Sequence, residues 1–292
     1  MKHIFIVNPT SGVGNYKDVT AWIEANMLGL DYKIHITQYE GHATEIAKSY
    51  DKGVILYSIG GDGTAYEIIN GMSFENEFCV IPVGTGNDFY KMINTKKEIF
   101  ELLHDTVHGG HVSPVDVGQV NDRYFLNCAN IGVDADVNAR ANGLKGTIVP
   151  RLLIYLVSTL REIMTMKPVR LHIFNNEFSY DKDITLLSVM NGKYYGSGFK
   201  SAPNAKINDG LFDLVIVDAV SRTRVINLLP KYMKGTHLDL DVVEVKEVDH
   251  VEVKSQVPLT IGCDGEIFKS DHLVFKMHKG ILKYRLPKGI EL

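Results

Sequence analysis

Apolar residues along this chain come first in unbroken runs and later in alternation with polar ones. Ile4-Phe5-Ile6-Val7, Val54-Ile55-Leu56-Tyr57 and Phe78-Cys79-Val80-Ile81 are short and bounded by turn residues, the pattern of strands covered on both faces. Tyr32-Lys33-Ile34-His35-Ile36-Thr37 alternates as a further strand. Helical spacing fills the gaps over 16–27, from Gly41-His42-Ala43-Thr44 to Ser49, and at Ile68, Ile69 and Met72. Strand, helix, strand, helix to about residue 110 predicts a doubly wound α/β domain over 1–114. The opening residues are its first strand, since Pro9 ends an apolar run too short for a leader. At Val115-Asp116-Val117-Gly118 the rhythm changes. Alternating runs at 118–120, 123–127, 169–174, 184–190, 212–217, 250–253, 259–261, 273–277 and 281–286 predict a mostly antiparallel β domain over 115–285, with Asn121-Asp122 as a hairpin turn. One apolar helix, 148–166, interrupts it. Its uncharged core is shorter than the roughly 20 residues that span a bilayer, and Arg151, Arg161 and Glu162 bracket it. It is expected to pack on the β domain.

The chemistry concentrates where the first strands stop. Ser58-Ile59-Gly60-Gly61-Asp62-Gly63-Thr64 links an apolar run to a helix. Three glycines around an aspartate let the backbone approach a ligand, and the helix start directs unpaired N–H groups at it. That suits phosphate. Asp62 would repel a bare phosphate, so its carboxylate reads as holding Mg²⁺, directly or through water, beside a nucleotide. A plain structural turn is the simpler alternative. Pro82-Val83-Gly84-Thr85-Gly86-Asn87-Asp88-Phe89 repeats the design after the next strand, at the carboxyl end where open α/β sheets bind ligands.

Taken with Asn8-Pro9-Thr10-Ser11-Gly12 and the late Asp264-Gly265-Glu266, these turns resemble the catalytic domain of the diacylglycerol kinase and sphingosine kinase superfamily, in particular its soluble bacterial lipid kinases. The resemblance covers nearly the whole chain. NAD kinases and phosphofructokinases share a similar glycine-aspartate turn, so it is the order of four motifs that carries the likeness. The resemblance implies an ATP- and Mg²⁺-dependent transfer of phosphate to the hydroxyl of diacylglycerol or a similar membrane lipid, by an α/β nucleotide domain and a β-sandwich. Residues 286–292 are candidates to return to the first domain. ATP is then expected at Asn8, Pro9, Thr10, Ser11, Gly12, Thr37, Gly60, Gly61, Asp62, Gly63, Thr64, Glu67, Gly84, Thr85 and Asn87. Asp62, Asp88 and Asp116 would converge on one Mg²⁺ and its waters if the domains flank a cleft. Asp209, with the carbonyls of Lys206 and Leu211, would hold a structural Mg²⁺. Proton abstraction falls to Glu266, with Asp264 as its partner or the alternative base, and Asp62 completes the catalytic set. Tyr66 departs from the asparagine that many relatives carry. A kinase of a soluble metabolite such as NAD, or a regulator that binds nucleotide or lipid without turnover, remain the rival readings.

Composition narrows the partners. The 292 residues carry a net charge of −4, which gives no bulk attraction to nucleic acid. Cys79, Cys128 and Cys263 are far apart and read as buried, reduced thiols of a cytoplasmic protein. His104 and His108 have metal-pair spacing, but Gly109-Gly110 behind them marks a solvated helix end, with His111 beyond. A lipid kinase without a membrane span must reach its substrate by reversible peripheral contact, for which 164–167, 222–224 and 231–234 are the basic candidates. No heptad run marks an interface; a homodimer is allowed.

Overall fold

The computed structural model describes residues 1–12, 16–93, 95–132, 167–196 and 198–292. The helix expected over 148–166 lies outside the described residues, as do the first three residues of the candidate docking stretch 164–167. The described chain divides into two compact units, Met1–Asp116 with Lys279–Leu292, and Val117–His278.

The first unit is built on a parallel sheet. Strands β1 (Lys2–Val7), β2 (Tyr32–Ile36), β3 (Val54–Gly60) and β4 (Glu77–Pro82) pair in the order β2-β1-β3-β4. Helices α1 (Tyr16–Asn26), α2 (His42–Lys48), α3 (Asp62–Ile69) and α4 (Ile99–Gly109) alternate with the strands or follow them. Phe5, Val7, Ile55, Tyr57, Ile59, Cys79 and Ile81 pack with Val19, Ile23 and Met27 of the α1 region and with Leu102, Leu103 and Val107 of α4. Their alternating neighbours Ile4, Ile6, Leu56 and Phe78 are equally buried, so both faces of the sheet are covered. That explains the unbroken apolar runs.

The chain's end completes this unit. A strand over Glu266–Leu286 pairs parallel to β4 through Lys283 and Tyr284. Tyr284 Oη accepts the Val80 N–H at 3.2 Å, and Arg285 joins the Thr106 carbonyl and Glu77. The return begins at Lys279, earlier than the tail 286–292.

His3 is stacked on Tyr57, with Nδ1 2.9 Å from the phenol oxygen. Burial, with Arg285 adding to it, pushes its pKa from 6.5 down to about 4. The neutral ring is the folded form, so the stability it confers is complete above pH 6.5 and lost as pH falls toward 4. Full protonation costs about 3 kcal/mol. Urea midpoints measured at pH 7 and pH 4.5 should show a smaller drop for His3→Gln than for the wild type; an equal drop would place the acid sensitivity elsewhere.

The second unit is sheet-rich. Its strands are the end of β5 (His111–Val120), β6 (Arg123–Phe125), β7 (Cys128–Gly132), β8 (Val169–Phe174), β9 (Ser179–Met190), β10 (Phe212–Asp218), β11 (Val243–Val248), β12 (His250–Cys263) and most of β13 (Glu266–Leu286). The pairs β11-β10-β9-β7-β12-β13 are all antiparallel, with β8 joining β9 and β12. Asn121, at φ 53°, turns the β5–β6 hairpin where Val120 faces Arg123, as its Asn-Asp pair predicts.

Three departures from the pattern have physical causes. The runs at 250–253 and 259–261 are one strand with an irregularity between Lys254 and Leu259, where an exposed edge tolerates polar residues. The runs at 273–277 and 281–286 likewise belong to one strand, continuous through Gly280. A helix, α5 (Arg222–Lys234), stands where only a basic stretch is legible. It packs Tyr232, Val225, Leu229 and Met233 on Cys128, Leu186, Met190, Val215 and Val217.

Candidate active site

Parallel pairing sets four loops at one edge of the first sheet. Val7 is level with Ile36 and Ile59, and Gly60 with Pro82, so the residues after β1, β2, β3 and β4 all leave from the carboxyl ends. Thr37 continues β2 by donating its N–H to the Val7 carbonyl at 2.9 Å.

Side chains tie these loops together. Asn8 Nδ2 donates to Thr64 Oγ1 at 3.1 Å, while Asn8 Oδ1 accepts from the Thr10 N–H and hydroxyl at 3.0 and 2.8 Å. The Ser11 N–H turns back to the Asn8 carbonyl. Pro9 ends the strand, and Gly12 takes a positive φ of 69° where a Cβ would lie 2.0 Å from the Val83 oxygen. Gly60 leaves room for the Thr64 hydroxyl, which a Cβ would meet at 2.3 Å.

The two glycine turns touch. Val83 and Gly84 donate their N–H groups to the Gly60 carbonyl at 3.2 and 3.1 Å, and a Cβ on Gly84 would fall 2.5 Å from Gly61 Cα. Side by side, they form a cradle of backbone with few side chains. The Gly84→Ala variant must part the turns, and we expect it to lose about 1–3 kcal/mol of stability. A thermal-unfolding midpoint equal to the wild type's would show that the turns can separate freely.

Asp62 opens α3, where it complements the helix dipole, and the Thr64 and Ala65 N–H groups of the first turn already bond the Gly61 carbonyl at 3.1 and 3.2 Å. It accepts N–H groups from Asp88 and Phe89, the latter at 3.4 Å. Burial, and then the like charge of Asp88, raise the Asp62 pKa above the usual carboxylate range. Asp88 is itself 7% exposed and takes Lys91 Nζ at 2.6 Å. Lys91, three residues on from Asp88, is a partner that its spacing alone could have suggested. Asn87 holds a left-handed φ of 51° and closes its loop on the Gly84 carbonyl at 2.7 Å, while its Oδ1 is buried with no hydrogen-bond partner among the described residues. An orphaned oxygen beside two crowded carboxylates is a donor set that fits a hydrated divalent cation. Thr85 is exposed on the same loop.

Other expected residues are engaged differently. Asp116 is fully buried and accepts the Gly280 N–H at 2.6 Å. Among the described residues no three of His, Cys, Asp and Glu stand together as direct metal ligands, so the three aspartates do not form a directly ligating cluster. Glu67 Oε2 accepts the Ala43 N–H at 3.0 Å at the start of α2, and its carbonyl takes the Thr44 hydroxyl. Tyr66 is buried in the core of its unit. His104 and His108 lie with rings 4.9 Å apart in the last turns of α4 and His111 begins β5, as a helix-end reading expects.

Two acidic turns belong to the second unit. Asp209 Oδ1 accepts the Leu211 N–H at 3.0 Å, next to a positive-φ Gly210 and three residues after Lys206. Asp213 follows on β10, paired across from Glu247. Burial, then Glu247 and Asp209, push the Asp213 pKa up to about 6. Sequence reasoning saw Asp213 only as the end of the acidic stretch 206–213, without a role, and missed Glu247, because the strand pairing that brings Glu247 across joins distant segments.

At the other turn, Asp264 and Gly265 form a two-residue hairpin at φ 46° and 95°, with Cys263 facing Glu266. The Asp264 carboxylate accepts three backbone N–H groups, from Leu126 at 2.6 Å, Asn127 at 3.0 Å and Cys128 at 2.9 Å. Its own N–H returns to the Cys128 carbonyl at 3.0 Å. Asp264 therefore clamps the turn, and Glu266 stands half-buried at the first position of β13.

Both units have counterparts among known proteins. Residues 2–120 match the diacylglycerol kinase catalytic domain, and residues 127–283, more than half the chain, match the YegS C-terminal NAD kinase beta sandwich-like domain. A diacylglycerol kinase of Staphylococcus saprophyticus is 30% identical over 272 residues, 89% of this chain and 87% of that protein. This chain belongs to the diacylglycerol kinase family. Another member, the diacylglycerol kinase of Bacillus subtilis (strain 168), is 29% identical over 268 residues, covering 89% of this chain and 88% of its own. The fold is shared with a crystal structure of a diacylglycerol kinase from Bacillus anthracis str. Sterne, at a TM-score of 0.73 and 22% identity over 99% of this chain and 97% of that one.

Proposed function

We propose that this chain moves the γ-phosphate of ATP to the hydroxyl of diacylglycerol or a similar membrane lipid. The observation that carries the reading is the backbone cradle of the Gly60–Gly61 and Gly84 turns, with the Asp62 and Asp88 carboxylates beside it, in a member of this family. We read the first unit as a doubly wound ATP-binding domain and the second as a β-sandwich that receives the lipid.

In this reading the α3 N-terminus and the loops at 8–12 and 83–87 hold the phosphates through backbone N–H groups, with the Thr10, Ser11 and Thr85 hydroxyls as further donors. Thr37 and Glu67 border the nucleotide from the ends of β2 and α3. Asp62 and Asp88, with Asn87 Oδ1 and, through water, Asp116, would hold Mg²⁺, which when bound neutralises charge on the phosphates. Asp62 also fixes the backbone of Asp88 and Phe89, so its carboxylate orients the second turn as well. Glu266 takes the proton of the lipid hydroxyl as that oxygen bonds to the γ-phosphorus and the bond to the ADP oxygen breaks. A carboxylate clamped by three N–H donors is a poor proton acceptor, so Asp264 positions the turn and Glu266 is the base. Asp209, with the carbonyls of Lys206 and Leu211, would hold a second Mg²⁺, easing the repulsion that raises Asp213. Among the described residues no helix is long and apolar enough to cross a membrane; the enzyme acts from the cytoplasm by reversible contact with the bilayer.

The test is Mg-ATP turnover against diacylglycerol, ceramide, sphingosine and undecaprenol in mixed micelles, with NAD as the soluble control and products read by mass spectrometry. A phosphorylated lipid is expected. Phosphorylated NAD alone would move the chain to soluble substrates, and nucleotide binding with no product would make it a regulator.

A further inference from the structure

Beyond its first residue, helix α5 sets an apolar face against a polar one. At 100° per residue, Val225, Leu229, Tyr232 and Met233 fall on one side, the side packed on the apolar cluster under the helix. Arg224, Asn227, Lys231 and Lys234 fall on the opposite side, and all four are exposed. Ile226, 40% exposed, and the exposed Pro230 make an apolar shoulder beside this stripe. Arg222 is exposed at the first turn, and Lys200 is exposed beside the helix end, where a Cβ on Gly235 would approach its Cβ at 2.9 Å.

The charge is not explained by the needs of the helix. Ser221 caps its start by accepting the Arg224 N–H, yet the first turn holds two arginines and no carboxylate, an order that opposes the helix dipole. Arg224 is tied to Asp241; Arg222, Lys231 and Lys234 have no ion pair among the described residues. The helix carries four cations and no anion in a chain whose net charge is −4. Pro230 lacks an N–H, so the Ile226 carbonyl gets no helical partner from it.

We propose that the outer face of α5, with the exposed Arg222 at its start and Lys200 at its end, is the surface by which this chain docks on an anionic phospholipid bilayer. The inference rests on the lipid-kinase reading for its purpose and not for its test. Basic side chains meet the lipid phosphates, and Ile226 and Pro230 enter the headgroup boundary, the division of labour of an interfacial helix. A nucleic acid would match the charge but not the apolar shoulder. Because the rest of the chain carries excess negative charge, an anionic surface repels it and selects this face.

The experiment is flotation of the full chain with phosphatidylcholine vesicles containing about one third phosphatidylglycerol. Each cation near such a surface is worth about a fivefold partition. The Arg222→Glu/Lys231→Glu/Lys234→Glu variant should therefore lose at least about tenfold in vesicle binding, while its turnover in detergent micelles stays at the wild-type level. Wild-type binding should weaken as salt is raised and be absent on pure phosphatidylcholine. Should the triple variant unfold, Lys231→Gln/Lys234→Gln carries the test, with a severalfold loss expected. Unchanged binding of a folded variant, or stronger binding to an RNA homopolymer than to the vesicles, would overturn the proposal. Vesicle binding by a wild type that phosphorylates no lipid would remove the kinase reading and leave the docking face standing.

Discussion

The Glu266→Gln variant is expected to lose about 10²–10⁴-fold in kcat, the usual worth of a positioned general base. Glutamine keeps the size and the strand position opposite Cys263 but cannot accept the proton. The KM for ATP should hardly move, since Glu266 lies in the unit that does not contain the glycine turns. Steady-state rates on micellar diacylglycerol across pH 5 to 9 check this. Full turnover by the variant would place the base elsewhere.

Asp264→Ala is expected to act mainly on stability. The N–H groups of Leu126, Asn127 and Cys128 share its carboxylate as acceptor, and all three residues are buried. Removing the acceptor of buried donors costs about 1–3 kcal/mol per group, so the second unit should lose at least about 3 kcal/mol. Equilibrium urea unfolding measures it. Asp264→Asn retains one acceptor oxygen and should fall between the two. The pair of variants separates the roles of the two acids: a stable Asp264→Ala protein without turnover would make Asp264 the base.

Legibility in the sequence followed the range of the interactions. The β3–turn–α3 segment could be read because an unbroken apolar run, three glycines and one acid are contiguous there. The Asn121 hairpin was readable for the same reason. The tasks of the acids were not. Asp116 resembles any carboxylate near a glycine until Gly280, far along the chain, is seen to donate to it. Glu67 lies in the nucleotide motif, yet one of its oxygens caps α2. β11 was missed although Val243-Glu244-Val245-Lys246 alternates, because Glu247 breaks the alternation after four residues. α5 was missed because Pro230 sits inside it and its first turn lacks acids, two signs that ordinarily argue against a helix.

The strand that closes the first sheet is made after all the other strands of both units. As the chain leaves the ribosome, residues 1–116 emerge with the outer edge of β4 still open, and the Val80 N–H must wait for the Tyr284 hydroxyl. Domains ordinarily fold in the order of synthesis; here the second unit can mature while the first is one strand short. For that interval β4 offers the kind of unpaired edge that recruits other chains. The Arg285–Glu77 ion pair, whose side chains are 15% and 12% exposed, is then a lock that can be set only after the second unit has been synthesised, and until that moment the first unit is the one left unfinished.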